Sequence, residues 1–428
     1  MSHEPGMAGL VAFWGGSMRL RFTTAGESHG KGLVAVVEGL PAGLPVSAEA
    51  VNRDLARRMQ GYGRGARMKI ERDTIEWIAG VRAGETLGSP VAMLIPNRDW
   101  ANWEDVMAPE ADAPGGPRRR RVARPRPGHA DLVGVLKYDR LDARDILERA
   151  SARETTARVA AGALARRLLE EFGVRIGSHV VSLGGVHAGR GEVPADLNAA
   201  ADRSEVRCLD PAAAAEMVRR IDAAKAAGDT LGGEVEVVTT GLVLGLGSHV
   251  SWDRKLDGRL AGALMSIPAV KGVEIGLGFE AARRPGSAVH DAIEAGADDR
   301  SRDPRAGFGR RSNNAGGLEG GMTTGEPLVL RVAMKPISTL MSPLPTVDLR
   351  TGAPAAAQSE RSDVTAVPAM GVIAEALTAL VLADAMLEKF AGDSLGEMRR
   401  NVEGYIAAAG ARWEAERDAP PEPAPADG

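Results

Sequence analysis

The sequence predicts an α+β fold, and three observations carry that prediction. Short stretches rich in β-branched residues with alternating polarity fall in clusters rather than in strict alternation with helices. Long segments with helical apolar spacing and recognisable ends lie between the clusters. A hydrophobic share of 44% in 428 residues supplies enough apolar surface for a large core.

Strands are expected at residues 19–23, 33–38, 234–246 and 328–335, from β-branched content and alternation. Ser151-Ala152-Arg153-Glu154 has the form of a capping box, with helix formers running on to Phe172 and Gly173 as the stop. Asp210-Pro211 reads as an N-cap with proline at the first helical position, for a helix ending near Gly228. Leu256, Leu260 and Leu264 share one face of another helix that must finish before Pro268. Pro368 opens a long helix whose buried stripe is marked by Ile373, Leu377, Leu380 and Leu387. Gly-, Pro- and charge-rich stretches at 108–127, 189–204, 296–309 and 342–359 read as loops. No linker divides the chain. The organisation expected is an extension over residues 1–17, one catalytic domain over 18–393, and a C-terminal helix with a disordered Pro/Ala-rich tail over 394–428.

Composition excludes several classes. A net charge of -4 offers no global attraction to nucleic acid or anionic membrane, and 4% aromatics leaves few platforms for stacking bases. No apolar run is read as approaching membrane-spanning length. A single cysteine, Cys208, can form neither an internal disulfide nor a zinc site alone, which fits a cytoplasmic protein with no metal.

Six short segments hold the chemistry. Gly26-Glu27-Ser28-His29-Gly30 and Arg126-Pro127-Gly128-His129-Ala130-Asp131 each set a histidine in a Gly- or Pro-bounded turn. One turn histidine is more often a satisfied polar residue than a catalyst, but two beside arginine-rich loops point to acid–base work. Asp363 follows Arg361 just ahead of the long apolar helix. Three glycines between Gln60 and Ala66 let Arg58, Arg64 and Arg67 converge on one anion. At Ser151 a helix start flanked by Arg149 and Arg153 would hold a phosphate, although an ordinary capping box explains that feature as well. The sixth segment is Gly309-Arg310-Arg311-Ser312-Asn313-Asn314, ahead of a glycine-rich run. That run is neither a P-loop nor a dinucleotide fingerprint, which argues against a kinase or a nicotinamide dehydrogenase. Lys335-Pro336-Ile337-Ser338-Thr339 adds an ammonium and two hydroxyls after a strand. The outline is an enzyme acting on a small polyanion.

The strings GESHG, RRMQGYGRGARMKIERD, RPGHAD, RASARET, MSIPAVKGVEIG, RRSNNAGGLEGGMTTGEP, MKPIST and RSDVTAVPA together resemble the chorismate synthase family, in the family's order from about residue 18 to 393. The resemblance implies a homotetrameric flavoenzyme with a β-α-β sandwich core. It implies a lyase that eliminates phosphate from 5-enolpyruvylshikimate 3-phosphate to give chorismate, the last shared step of the shikimate pathway, using reduced FMN (FMNH2) without net redox change. Bacterial-type members depend on flavin reduced elsewhere, which implies an external flavin reductase. By motif position, Arg58, Arg64, Arg67, Arg126 and Arg153 would bind substrate. Ala150, Ser151, Ala152, Pro268, Ala269, Gly320, Lys335, Pro336, Ile337, Ser338, Thr339 and Arg361 would meet FMN. His29 would protonate the departing phosphate, His129 the reduced flavin, and Asp363 would help the flavin N5 take the proton from C6. Two positions depart from the family's usual residues, Pro268 for Asn or Gln and Leu277 for Asp, so a contact at 268 would run through the backbone.

Overall fold

The computed structural model describes residues 19–65, 72–110, 120–189, 191–295, 305–359 and 363–417. The expectations on residues 1–17, Arg67, Arg361 and the tail lie outside the described residues.

The first antiparallel sheet contains β1 (Arg21–Ala25), β2 (Gly32–Glu38), β3 (Glu76–Ala79) and β4 (Val91–Pro96), in the order β1-β2-β4-β3. Its period of two is clear in β2, where Leu33, Ala35 and Val37 are buried and their neighbours are not. The second is also antiparallel: β5 (Arg175–Leu183), β6 (Val186–His187), β7 (Gly233–Thr240), β8 (Val270–Ile275) and β9 (Leu328–Met334), in the order β8-β9-β7-β5-β6.

Helices accompany the sheets. The named ones are α1 (Ala48–Met59), α2 (Asp131–Lys137), α3 (Arg144–Ala150), α4 (Thr155–Glu170), α5 (Pro211–Ala227), α6 (Leu256–Met265), α7 (Val367–Phe390) and α8 (Leu395–Arg417). Helix α4 lies against β2 of the first sheet, α7 lies against β5 and β7 of the second, and the two helices pack on each other. The result is a β-α-β sandwich, as the resemblance implied. One core cluster runs through it from Leu20 to Val402.

Close approach of α4 and α7 depends on a residue without a side chain. A Cβ on Gly162 would stand 2.5 Å from the Ala376 Cβ and 2.6 Å from its carbonyl oxygen. Helix α7 is long and apolar enough to cross a membrane by length and composition, contrary to the sequence reading. Its apolar window is 94% buried between the sheets, so here it is a core helix. For the same reason its buried surface is no stripe: residues on all sides of it are covered.

Helix α5 matches its prediction, with the Asp210 carboxylate accepting from the Ala212 and Ala213 amides and Gly228 closing it at φ 70°. Helix α6 also forms as read, with Leu256, Leu260 and Leu264 buried. The strand expected over 234–246 stops at Thr240, because Gly241 turns the chain at φ 78°. Two expected loops contain short elements: a helix Leu197–Ala201, and a ladder of Pro345–Val347 with Pro354–Ala356.

Candidate active site

Helix α1 begins at a Ser47 cap and ends by sending two adjacent arginines in different directions. Arg57 turns into the core. Arg58 reaches the start of α4, donating to Thr155 Oγ1 (3.0 and 2.9 Å) and to the Ala152 carbonyl (2.7 Å). Its Nη1 is buried, has no hydrogen-bond partner, and stands 3.9 Å from Asp73. Just beyond, Gly61 and Gly63 take φ of 117° and 86°, conformations that favour glycine, and bend the chain back. Arg64 then comes within 3.2 Å of Asp363, which also accepts the Gly65 amide at 2.6 Å.

Arg153 completes the group, donating to Asp73 at 2.5 Å and to Asn97 Oδ1 at 3.1 and 2.8 Å. Arg58 and Arg153 thus pair with Asp73 and Arg64 with Asp363, which leaves one positive charge in excess. Burial, then the charge of Arg64, pulls the Arg58 guanidinium down to about 9. An incoming phosphate or carboxylate would relieve that strain.

Asn97 also ties these arginines to the first histidine loop, donating to the carbonyls of Glu27 (3.2 Å) and Gly30 (2.8 Å). His29 Nδ1 lies 2.8 Å from Glu148 of α3, and its ring stacks on Trp103 at 3.8 Å between centroids. Ser151 Oγ meets Ser28 Oγ at 3.3 Å. His29, Ser151, Arg153 and Arg58 therefore belong to one connected polar network, and the Arg64–Asp363 pair lies near enough for its charges to act on Arg58.

His129 anchors a second group. Its Nδ1 lies 2.5 Å from Asp131, which Arg126 grips at 2.8 Å, and Arg126 extends to Thr339 Oγ1 at 2.8 Å. Lys335 donates to the Gly128 carbonyl (2.8 Å), and its own amide donates to Ala269 (2.9 Å). The Ile337 carbonyl accepts from Thr230 (2.7 Å). A cavity of about 1170 Å³ is lined by His129 and by Glu27, Arg144, Glu148 and Ala150, the neighbours of His29 and Ser151, while Arg58, Arg64, Arg153 and Asp363 do not line it.

The structure brings most of the expected residues together, with corrections. Ser151 does cap, but by accepting from the Arg153 amide at the start of a 3-10 turn that precedes α4. Glu154 does not close a capping box; its carboxylate takes Thr24 and Arg158 instead. Gly320 and Pro268-Ala269 sit beside opposite ends of α6, whose 10 residues span about 15 Å. Arg310 and Arg311 are spent on Glu319 and Glu294 rather than on an anion pocket.

Sequence reasoning missed Asp73, Asn97, Trp103, Asp131 and Glu148. Only Asp131, two residues after His129 in its own motif, carried a local signal. For FMN the described groups are chemically apt: Lys335, Ser338 and Thr339 supply an ammonium and hydroxyls near the loop of His129.

The fold and this site define an α+β enzyme with a buried arginine cluster and two carboxylate-held imidazoles. Comparison with known proteins is more specific. The chorismate synthase family profile matches residues 20–387, and the chain belongs to that family. It is 58% identical over 392 residues to a chorismate synthase of Geobacter sulfurreducens, covering 90% of this chain and 98% of that protein. Against that of Trichlorobacter lovleyi the identity is 59% over 389 residues, covering 91% and 99%. A crystal structure of chorismate synthase superposes with a TM-score of 0.72 at 44% identity, covering 92% of this chain and 98% of that one.

Proposed function

We propose that this chain eliminates phosphate from 5-enolpyruvylshikimate 3-phosphate in an anti-1,4 sense, giving chorismate, with reduced FMN bound beside the substrate. The observation that supports it most is the convergence of Arg58, Arg64 and Arg153 on two carboxylates with a net positive charge. When bound, reduced FMN lends electron density to the substrate and recovers it without net oxidation. The arginines, with Arg126 and Arg67, hold the phosphate and carboxylates and offset charge on the leaving group. His29 gives that phosphate its proton. His129 holds a proton for the flavin ring, and Asp363, steadied by Arg64 and the Gly65 amide, assists removal of the C6 proton.

The segments 150–152, 268–269, 320, 335–339 and Arg361 hold the flavin. The working form is assigned, on the family resemblance alone, to a cytoplasmic homotetramer. Residues 18–393 form its catalytic unit, and an external reductase supplies the reduced flavin.

Separate equilibrium titrations with FMN and with substrate test the partition. Arg64→Ala should weaken substrate binding roughly 10-fold or more, the worth of one charge-assisted hydrogen bond, and disturb FMN binding far less. Equal loss of both ligands would contradict the assignment.

A further inference from the structure

Two imidazoles on different loops are braced in the same way. His29 Nδ1 meets Glu148 Oε2 at 2.8 Å, and the other oxygen of that carboxylate takes Arg144 Nη1 at 2.8 Å. His129 Nδ1 meets Asp131 Oδ1 at 2.5 Å, much the shortest of its contacts, since the donor-only Arg126 Nη2 lies 3.1 Å from that nitrogen and 3.5 Å from Nε2, while Asp131 Oδ2 takes Arg126 Nε at 2.8 Å. Glu148 is 2% exposed and Asp131 0%, so neither is a surface partner of circumstance.

We propose that Glu148 and Asp131 are positioning residues that fix His29 and His129 with the proton on Nδ1, so that each ring exchanges protons through Nε2. The proposal rests on the roles given to the two histidines above.

The chemistry follows from the donor inventory. An ionised carboxylate only accepts hydrogen bonds, so the ring nitrogen facing it must donate. Both carboxylates are held ionised. Burial alone would raise the Glu148 carboxyl, but the hydrogen bond and charge of His29 and the charge of Arg144 bring it below its ordinary value. At Asp131 burial is likewise outweighed, by hydrogen bonds from His129 and Arg126.

The ring planes are fixed too. Glu148 Oε2 also accepts the His29 backbone amide at 3.0 Å, so one oxygen holds both ends of that side chain. Trp103 stacks on the ring at an interplanar angle of 22°, with Arg144 and Arg120 lying 5.1 and 4.8 Å from the indole. On the other loop, Asp131 Oδ2 accepts the Arg126 amide at 3.0 Å, closing the turn that carries His129.

The test is nitrogen NMR of the full chain labelled at histidine, paired with steady-state kinetics. Wild type should show Nδ1–H signatures at both rings. Glu148→Gln should change the His29 signature alone and Asp131→Asn the His129 signature alone, so each variant controls for the other. Each should lower kcat about 10²-fold or more while substrate KM moves less than about threefold, since a misplaced proton acts on the chemical step. Should Glu148→Gln not fold, the double variant Arg144→Gln/Glu148→Gln removes both charges and serves the same comparison. An Nε2–H tautomer in wild type, or signatures indifferent to the variants, overturns the proposal. If the signatures respond as expected but the wild-type chain makes no chorismate, the bracing stands and the assigned reaction falls.

Discussion

Replacing Glu375 by alanine should cost about 3–5 kcal/mol of stability, the range for breaking a buried ion pair from one side. Glu375 is 0% exposed in the middle of α7, between the two sheets. Its oxygens accept from Arg57 (2.9 and 3.0 Å), Arg166 (2.7 Å), Arg207 (3.2 Å), Ser178 (2.5 Å) and Asn198 (3.3 Å). Asp54 and Asp202 complete the cluster, so three arginines face three carboxylates and the sum is zero. Alanine leaves an uncompensated +1 there and strips a hydrogen-bond acceptor from each of three guanidinium groups. The effect reaches the site, because Arg57 and Arg58 are adjacent at the end of α1. Arg57 would keep only Asp202 and Asp54, one residue before the arginine that reaches Ala152 and Thr155. Urea unfolding should show a lower midpoint with an unchanged slope. A loss below about 1 kcal/mol would refute the reasoning, since no surface-like pair could sit at this position.

The same residue gives a pH prediction. Burial pushes the Glu375 carboxyl up, but the charges of Arg57, Arg166 and Arg207 hold it well below the usual carboxylate range. Its contribution is therefore complete above the unfolded value of about 4.3 and lost as pH falls further toward the folded one. Wild type should lose stability steeply in that window, and Glu375→Gln should show a flatter slope there. Gly162→Ala should lower stability by about 1–3 kcal/mol through overpacking against Ala376, although alanine itself favours a helix by about 1 kcal/mol. A melting temperature equal to or above wild type would contradict the close approach of α4 and α7. His129→Ala should reduce turnover by roughly 10²–10⁴-fold with an unchanged unfolding curve. Wild-type kinetics in that variant would remove His129 from the mechanism.

How much of this was legible beforehand depends on whether a signal is local. Asp210-Pro211 and Gly228 mark both ends of α5 because caps act over three or four residues. Leu256, Leu260 and Leu264 reveal α6 for the same reason. Helix α7 was read with a buried stripe and its span-like length was overlooked, because a helix covered on every side has no polar face to betray its register. Glu154 looked like the second half of a capping box, yet Thr24, 130 positions away, and Arg158 claim its carboxylate. Within the site, His29 and His129 stood out through their turns, and Arg58 and Arg64 through their glycines. Glu148 meets His29, Asp73 meets Arg58 and Asn97 meets Arg153 over separations of 119, 15 and 56 positions, through sheet and helix packing. Nothing within a few residues of them announces that meeting.

The most direct measurement is made under anaerobic conditions on the purified full-length chain with chemically reduced FMN and 5-enolpyruvylshikimate 3-phosphate. Chorismate and inorganic phosphate should form in equal amounts while the flavin ends the reaction still reduced. Flavin that ends oxidised in step with product, or phosphate released without chorismate, would contradict a redox-neutral elimination in the arginine-lined pocket.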